Sequence, residues 1–239
     1  MTLKHDKQCV LEIKTHPEAV SLSEHRFEIK FANALPWRTL GTGTTMDWTT
    51  GVAGNFSLRG KAKLNGTWLY SSEKAAAVQF PTRSQILSDV GMVAAMDAEW
   101  QQTLIDSAPT QYRERSFMVY LDTIQNTYEA DDYKQGDWVA PGNNASVWLD
   151  FKIDPEPFAN AVGARYLVAS FHTHTPEEFA PTNFPGRYTG PLGQDEPTAI
   201  AAQTPGFVYD YIDSPIFSGY AETNNAMIRG YGPTQKEIP

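Results

Sequence analysis

The residues best placed to do chemistry in this chain are two histidines one residue apart, in Phe171-His172-Thr173-His174. Side chains two apart on an extended strand project to the same side, so both imidazoles can reach one point at a strand end. Imidazole nitrogens presented in this way suit a zinc ion. Downstream, Gly190-Pro191-Leu192-Gly193-Gln194-Asp195 puts a carboxylate at the start of an expected helix, with Pro197 in the first turn. His172, His174 and Asp195 with one water would complete a four-coordinate zinc site that keeps an open catalytic position. The competing reading is two histidines at a strand end that are hydrogen-bonded or simply solvated. A further acid, Glu114, stands just before the apolar run 117–121. If that run is a strand beside the histidine strand, Glu114 can take a proton from a water whose pKa zinc has lowered to about 7. The bland alternative is a solvated charge, because Arg113 and Arg115 flank it. His5, His16 and His25 have no useful spacing and read as surface residues.

The elements that must hold these groups are partly readable. Residues 9–14 and 26–32 alternate as short strands. Asn65-Gly66 is a two-residue hairpin signal, because both residues tolerate positive φ. Thr82-Arg83-Ser84-Gln85 matches a capping box. After it, Ile86, Val90, Val93, Ala94, Met96, Trp100 and Leu104 recur near a 3.6 period, which predicts one amphipathic helix bounded by Pro109. The run 117–121 suits a strand buried on both faces. Glu129, Asp131 and Asp132 read as a solvated turn, and 146–151 as a strand. Asp154 and Pro155 open a short helix ending near Gly163. Strands follow at 165–171 and 206–212. The Pro/Gly-rich stretch 175–193 reads as a long functional loop. The order implies an α/β fold with a mixed sheet and packed helices over residues 81–239, preceded by a β-rich region, 1–80, of unknown role.

Composition narrows the classes. The 239 residues carry 19 Lys and Arg against 28 Asp and Glu, a charge of −9, with Cys9 the one cysteine. An acidic balance argues against nucleic-acid binding. One cysteine excludes a disulfide framework and a thiolate-based zinc site. Zinc nucleobase deaminases need His-x-Glu and Pro-Cys-x-x-Cys, which are missing here. There is no Gly-x-Ser-x-Gly, and Gly41-Thr42-Gly43 lacks the lysine of a phosphate loop. No apolar run is long enough to span a membrane, and no signal peptide is visible, so the expected location is cytoplasmic, or exported by a route without a recognisable signal. Three Asn-x-Ser/Thr sequons carry no weight in that setting.

The ordered set of a helix, Glu114 before an apolar strand, His172-Thr173-His174 and then Gly190-Pro191-x-x-x-Asp195 resembles the JAB/MPN (JAMM-type) metalloproteases. The run 114–122 resembles the corresponding strand of the RadC branch. Ser170-Phe171-His172-Thr173-His174-Thr175-Pro176, with 205–211, is similar to JAB-type domains of bacterial toxins. The resemblance spans about 82–212. It implies a deaminase-like α/β fold with flanking helices, zinc on His172, His174 and Asp195, and Glu114 as general acid/base. It departs at Leu192, where the family has a serine that helps to stabilise the tetrahedral intermediate. Losing one such donor costs ~10²–10³ in rate elsewhere. Arg187, Tyr188 and Thr189 are candidate substrate-binding residues, and Thr189 or Tyr188 could stand in for that serine.

The expected activity is zinc-dependent hydrolysis of an amide, with a peptide, isopeptide or peptidoglycan-like substrate. Two other classes remain open. One is a catalytically impaired JAB-like binding or scaffold module, on the strength of Leu192. The other is a structural or carbohydrate-binding module of a bacterial or phage particle, motivated by Trp37, Trp48 and Trp68 in the β-rich front, although aromatic residues there more often form core.

Overall fold

A computed structural model describes residues 2–4, 8–14, 22–31, 36–49, 54–107, 110–123, 125–140, 143–151, 156–157, 164–175, 190–210 and 228–237. The front of the chain forms eight strands: β1 (Thr2–Lys4), β2 (Gln8–Glu12), β3 (Ser23–Phe31), β4 (Arg38–Thr42), β5 (Thr45–Thr49), β6 (Gly54–Leu64), β7 (Thr67–Tyr70) and β8 (Lys74–Gln79). Six of them make one sheet in the order β1-β8-β6-β3-β4, with β7 also on β6, while β2 and β5 form a separate ribbon. Asn65 and Gly66 have φ of 50° and 84° and close the β6–β7 hairpin as their types require. The ribbon covers one face of the large sheet. Trp48 of β5 packs edge-on against Phe56 of β6, alongside buried Ile29, Leu58 and Val78.

The second half centres on another sheet, built from β9 (Arg115–Asp122), β10 (Thr127–Gln135), β11 (Glu156–Pro157), β12 (Ala164–Thr173), β13 (Gly206–Tyr209) and β14 (Ile228–Tyr231). Its order is β10-β9-β12-β13-β14, with β11 on the edge of β12; β12 and β13 run parallel and every other pairing is antiparallel. Helices α1 (Arg83–Leu87) and α2 (Val90–Asp106) cover one face. Ile86, Met92, Met96 and Trp100 pack there on Phe117, Val119, Phe171 and Tyr209, with Trp100 stacked on Tyr209. Helix α3 (Asp195–Ala201) and the segment 143–151 lie on the other face. No helix among the described residues is long and apolar enough to cross a membrane.

The α/β expectation, a deaminase-like sheet with flanking helices, is therefore corrected. The described chain is mostly β, with fourteen strands in three sheets against three helices. The reason lies in particular segments. The single helix expected after Thr82 is two. The capping box holds only the short α1, and Asp89 then caps α2 by accepting from the Met92 N–H. The break shifts the phase, leaving Val90 83% exposed while Met92 and Thr103 are buried. Glu129, Asp131 and Asp132 lie within strand β10, because Arg165 of β12 neutralises Glu129 and Asp131 from across the sheet and Tyr120 donates to Asp132. The turn precedes them, with Asn126 at φ 55°. Residues 146–151 form no strand and join no ladder. Within the short helix expected over 154–163, the described residues 156–157 pair with the edge of β12 instead; the rest lies outside the described residues.

Candidate metal centre

The sheet's alternation sorts side chains onto two faces. After an irregularity between Leu167 and Ala169, Phe171 and Thr173 of β12 face α2, while His172 and His174 face α3. Thr173 is not a passive spacer. Its hydroxyl is 2.7 Å from that of Thr103 on α2, and it accepts from the Arg115 N–H at 3.1 Å. The residue between the histidines thus ties their strand to both α2 and β9. The two histidines sit at the carboxyl end of β12, beside its parallel neighbour β13, where parallel strands commonly hold ligands.

Asp195 approaches from the first turn of α3. Its Oδ2 accepts from the Leu192 N–H at 2.7 Å, which fixes the carboxylate. That oxygen is 3.4 Å from His172 Nε2 and 3.5 Å from His174 Nε2. One ligand atom from each residue can be chosen so that all lie within 4.8 Å of one another, so the three can hold a metal ion. Tetrahedral ligands about 2.0–2.2 Å from one ion lie roughly 3.4 Å apart, so both separations from Asp195 fit.

The far sides of both rings are held as well. His174 Nδ1 is 2.9 Å from Oδ2 of Asp210, a fully buried carboxylate that also accepts from the Gly190 N–H at 2.9 Å. His172 Nδ1 is 3.2 Å from the Tyr231 hydroxyl. Each contact turns Nε2 toward Asp195, the outer-sphere arrangement typical of metal-binding histidines. Tyr231 reaches across only because Gly206 lies opposite it in the β13–β14 ladder, where a Cβ would strike the ring. Neither Asp210 nor Tyr231 stood out in the sequence. An acid directly after a buried apolar strand was the one available hint for Asp210, and Tyr231 offered none.

Glu114 lies on the same face and is buried at 7% exposure. It lines a cavity of about 750 Å³ together with His172, His174, Asp195, Leu192 and Trp148. Its neighbours point the other way. Arg113 and Arg115 both reach Asp106 on α2, at 2.8 and 2.7 Å, so flanking charges that suggested a solvated acid instead hold Glu114 on the cavity side. Burial would raise the Asp106 carboxyl, but the two arginines and Gln102 hold it below its ordinary range. Burial alone would lower the His174 pKa, yet the carboxylates of Asp195, Asp210 and Glu114 push it up to about 9. Asp195 is itself driven well below the usual carboxylate range against its own burial, chiefly by His172 and His174. Three desolvated carboxylates around two imidazoles make this a place that favours added positive charge.

Leu192 lines the cavity without a side-chain donor, as the sequence implies. Arg187, Tyr188 and Thr189 lie outside the described residues, as does most of the long loop. Asp122 is far from the cavity, at the other end of β9, where it caps the following turn by accepting from the Gln125 N–H. No family model, curated protein or solved structure matches this chain.

Proposed function

We propose that the protein is a zinc-dependent hydrolase of amide bonds, a peptidase or isopeptidase. The observation that carries this reading is the convergence of His172, His174 and Asp195 with buried Glu114 along one cavity. The donor set, two imidazoles and one carboxylate with no thiolate, suits zinc in a hydrolytic site. Zinc held there would act as a Lewis acid on the scissile carbonyl and make a neighbouring water acidic. Asp210 and Tyr231 would keep both rings aimed at such an ion. Glu114 accepts the water proton and returns it to the leaving amine, a role that needs a carboxylate held still and shielded from bulk water. The resemblance to JAB/MPN metalloproteases in the order of Glu114, His172, His174 and Asp195 supports the same assignment. A cavity of about 750 Å³ is of a size compatible with a short stretch of peptide, isopeptide or peptidoglycan stem, the substrate class of this reading.

Zinc content by elemental analysis, with turnover of a peptide, isopeptide and cross-linked peptidoglycan panel, tests the reading. The expected result is one zinc per chain and hydrolysis that is lost in Glu114→Gln. Negligible zinc in wild type and His172→Ala alike would end it.

Leu192 favours a second reading, a metal-holding module with little turnover. Its N–H is already engaged by Asp195 and its side chain donates nothing to an oxyanion. Zinc-loaded, folded protein that hydrolyses no faster than Glu114→Gln would select this alternative.

A further inference from the structure

The metal centre uses none of the first sheet, whose outer face carries a different arrangement of charge. The register of β3, β6 and β7 lines up Arg26 with Lys61 and Tyr70, Glu28 with Arg59, and Lys63 with Trp68. Alternation places these on the side opposite the Ile29, Phe56 and Leu58 core. Arg26, Lys61 and Lys63 lie over the Trp68 ring at 4.7–5.0 Å, and Arg59 lies over both Trp37 and Tyr70, at 4.1 and 4.3 Å. Lys30 also sits over Trp37, at 5.0 Å. Five cations thus share one sheet face with three rings. Nearly buried Glu28 holds Arg59 and Lys61 in place from within the sheet, and exposed Glu24 joins Arg26 and Lys63.

Charge along the chain points the same way. Residues 1–80 carry ten Lys and Arg against seven Asp and Glu, a balance of +3, whereas 81–239 carry nine against twenty-one, a balance of −12. The first third of an acidic chain therefore holds ten of its nineteen cations, and five of those ten lie on one aromatic face. Trp48, grouped by sequence with Trp37 and Trp68, is core and takes no part.

We propose that this face binds an acidic polysaccharide, a glycan bearing carboxylate groups along its chain. Cationic heads held over ring faces present anion-binding groups beside apolar edges, which matches a sugar ring that carries a carboxylate. The Trp68 ring is already occupied by three cations, which removes the open platform on which nucleic-acid bases stack. This inference does not depend on the metal centre.

Calorimetric titration of the full chain at about 50 mM salt tests it, with polygalacturonate as the acidic glycan, dextran as a neutral polymer and polyuridylate as a nucleic acid. Polygalacturonate is expected to bind, dextran not to, and the affinity to fall at least about tenfold on raising salt to about 0.3 M. Trp68→Ala, and separately the pair Arg26→Gln with Lys63→Gln, should each weaken binding at least about tenfold, while His172→Ala leaves it unchanged. The paired variant leaves the partners of Glu28 in place, and its thermal unfolding should match wild type, so it decides the matter if Trp68→Ala does not fold. No binding of polygalacturonate, equal binding of dextran, tighter binding of polyuridylate, or full affinity in the folded paired variant would each overturn the proposal.

Discussion

The two six-stranded sheets both pair charges across strands, but only the second gathers acids of one sign around buried histidines. On the first, Arg, Lys and Glu alternate with core residues and settle against one another, so each of the five cations on the outer face lies near both an acid and a ring. On the second, Arg165 pairs with Glu129 and Asp131 across strands in the same manner, but the charge around the histidines collects where strands end and α3 begins. Glu114, Asp195 and Asp210 converge on two buried histidines, and the arginines nearest in sequence, Arg113 and Arg115, are drawn to the opposite face by Asp106. A cross-strand ladder of paired charges with cations in excess contributes modestly to stability and keeps its heads along one face. A buried cluster weighted toward one sign costs stability until a cation joins it. The first arrangement suits presentation to a partner; the second suits holding an ion.

That contrast can be broken most directly at the ligands. His172→Ala or Asp195→Asn is expected to reduce bound zinc from one per chain to near none by elemental analysis, with the first sheet's melting unaffected. Glu114→Gln comes next. It should keep the metal and lower turnover by about 10²–10⁴, measured as kcat on any substrate the wild type cleaves. Asp106→Asn tests whether the clamp behind Glu114 matters. Disrupting a nearly buried charge network should cost about 3 kcal/mol in denaturant unfolding and lower kcat while leaving zinc content intact.

The smallest expected effect lies on the first sheet. Burial would raise the pKa of Glu28, but Lys61 and Arg59 lower it below the usual glutamate value. A depressed folded pKa means the pair stabilises above the unfolded pKa and loses that contribution as pH falls through the folded one. Glu28→Gln should therefore destabilise by about 1–2 kcal/mol at pH 7, discounted for the partial exposure of its partners, and the gap from wild type should close as pH drops below the ordinary glutamate range, followed by urea unfolding.

Much of the candidate site was legible because its signals are local. A residue pair two apart on a strand, an acid at a helix start and an acid before an apolar run are short-range patterns, and His172, His174, Asp195 and Glu114 line one cavity. The fold was less legible because segment fates were decided by distant partners. Glu129 and Asp131 read as a turn until Arg165 arrives from another strand, and Val90 reads as core until Asp89 restarts the helix one phase away. Trp48 and Trp68 look alike in sequence, but one projects from the ribbon into the core of the large sheet and the other lies beneath cations.

The sequence by itself determined the chemistry on offer: one thiol, a His-x-His pair, carboxylates at defined spacings and a hairpin whose Asn-Gly turn needs no help from elsewhere. Tertiary structure decided which of those groups meet. It backed His174 with Asp210 and His172 with Tyr231, and it used Asp106 to turn Glu114 inward. Those contacts link residues 7 to 59 positions apart, and no local propensity encodes a partner at that range. Only the register of packed strands does, because a shift of one residue sends every side chain to the other face.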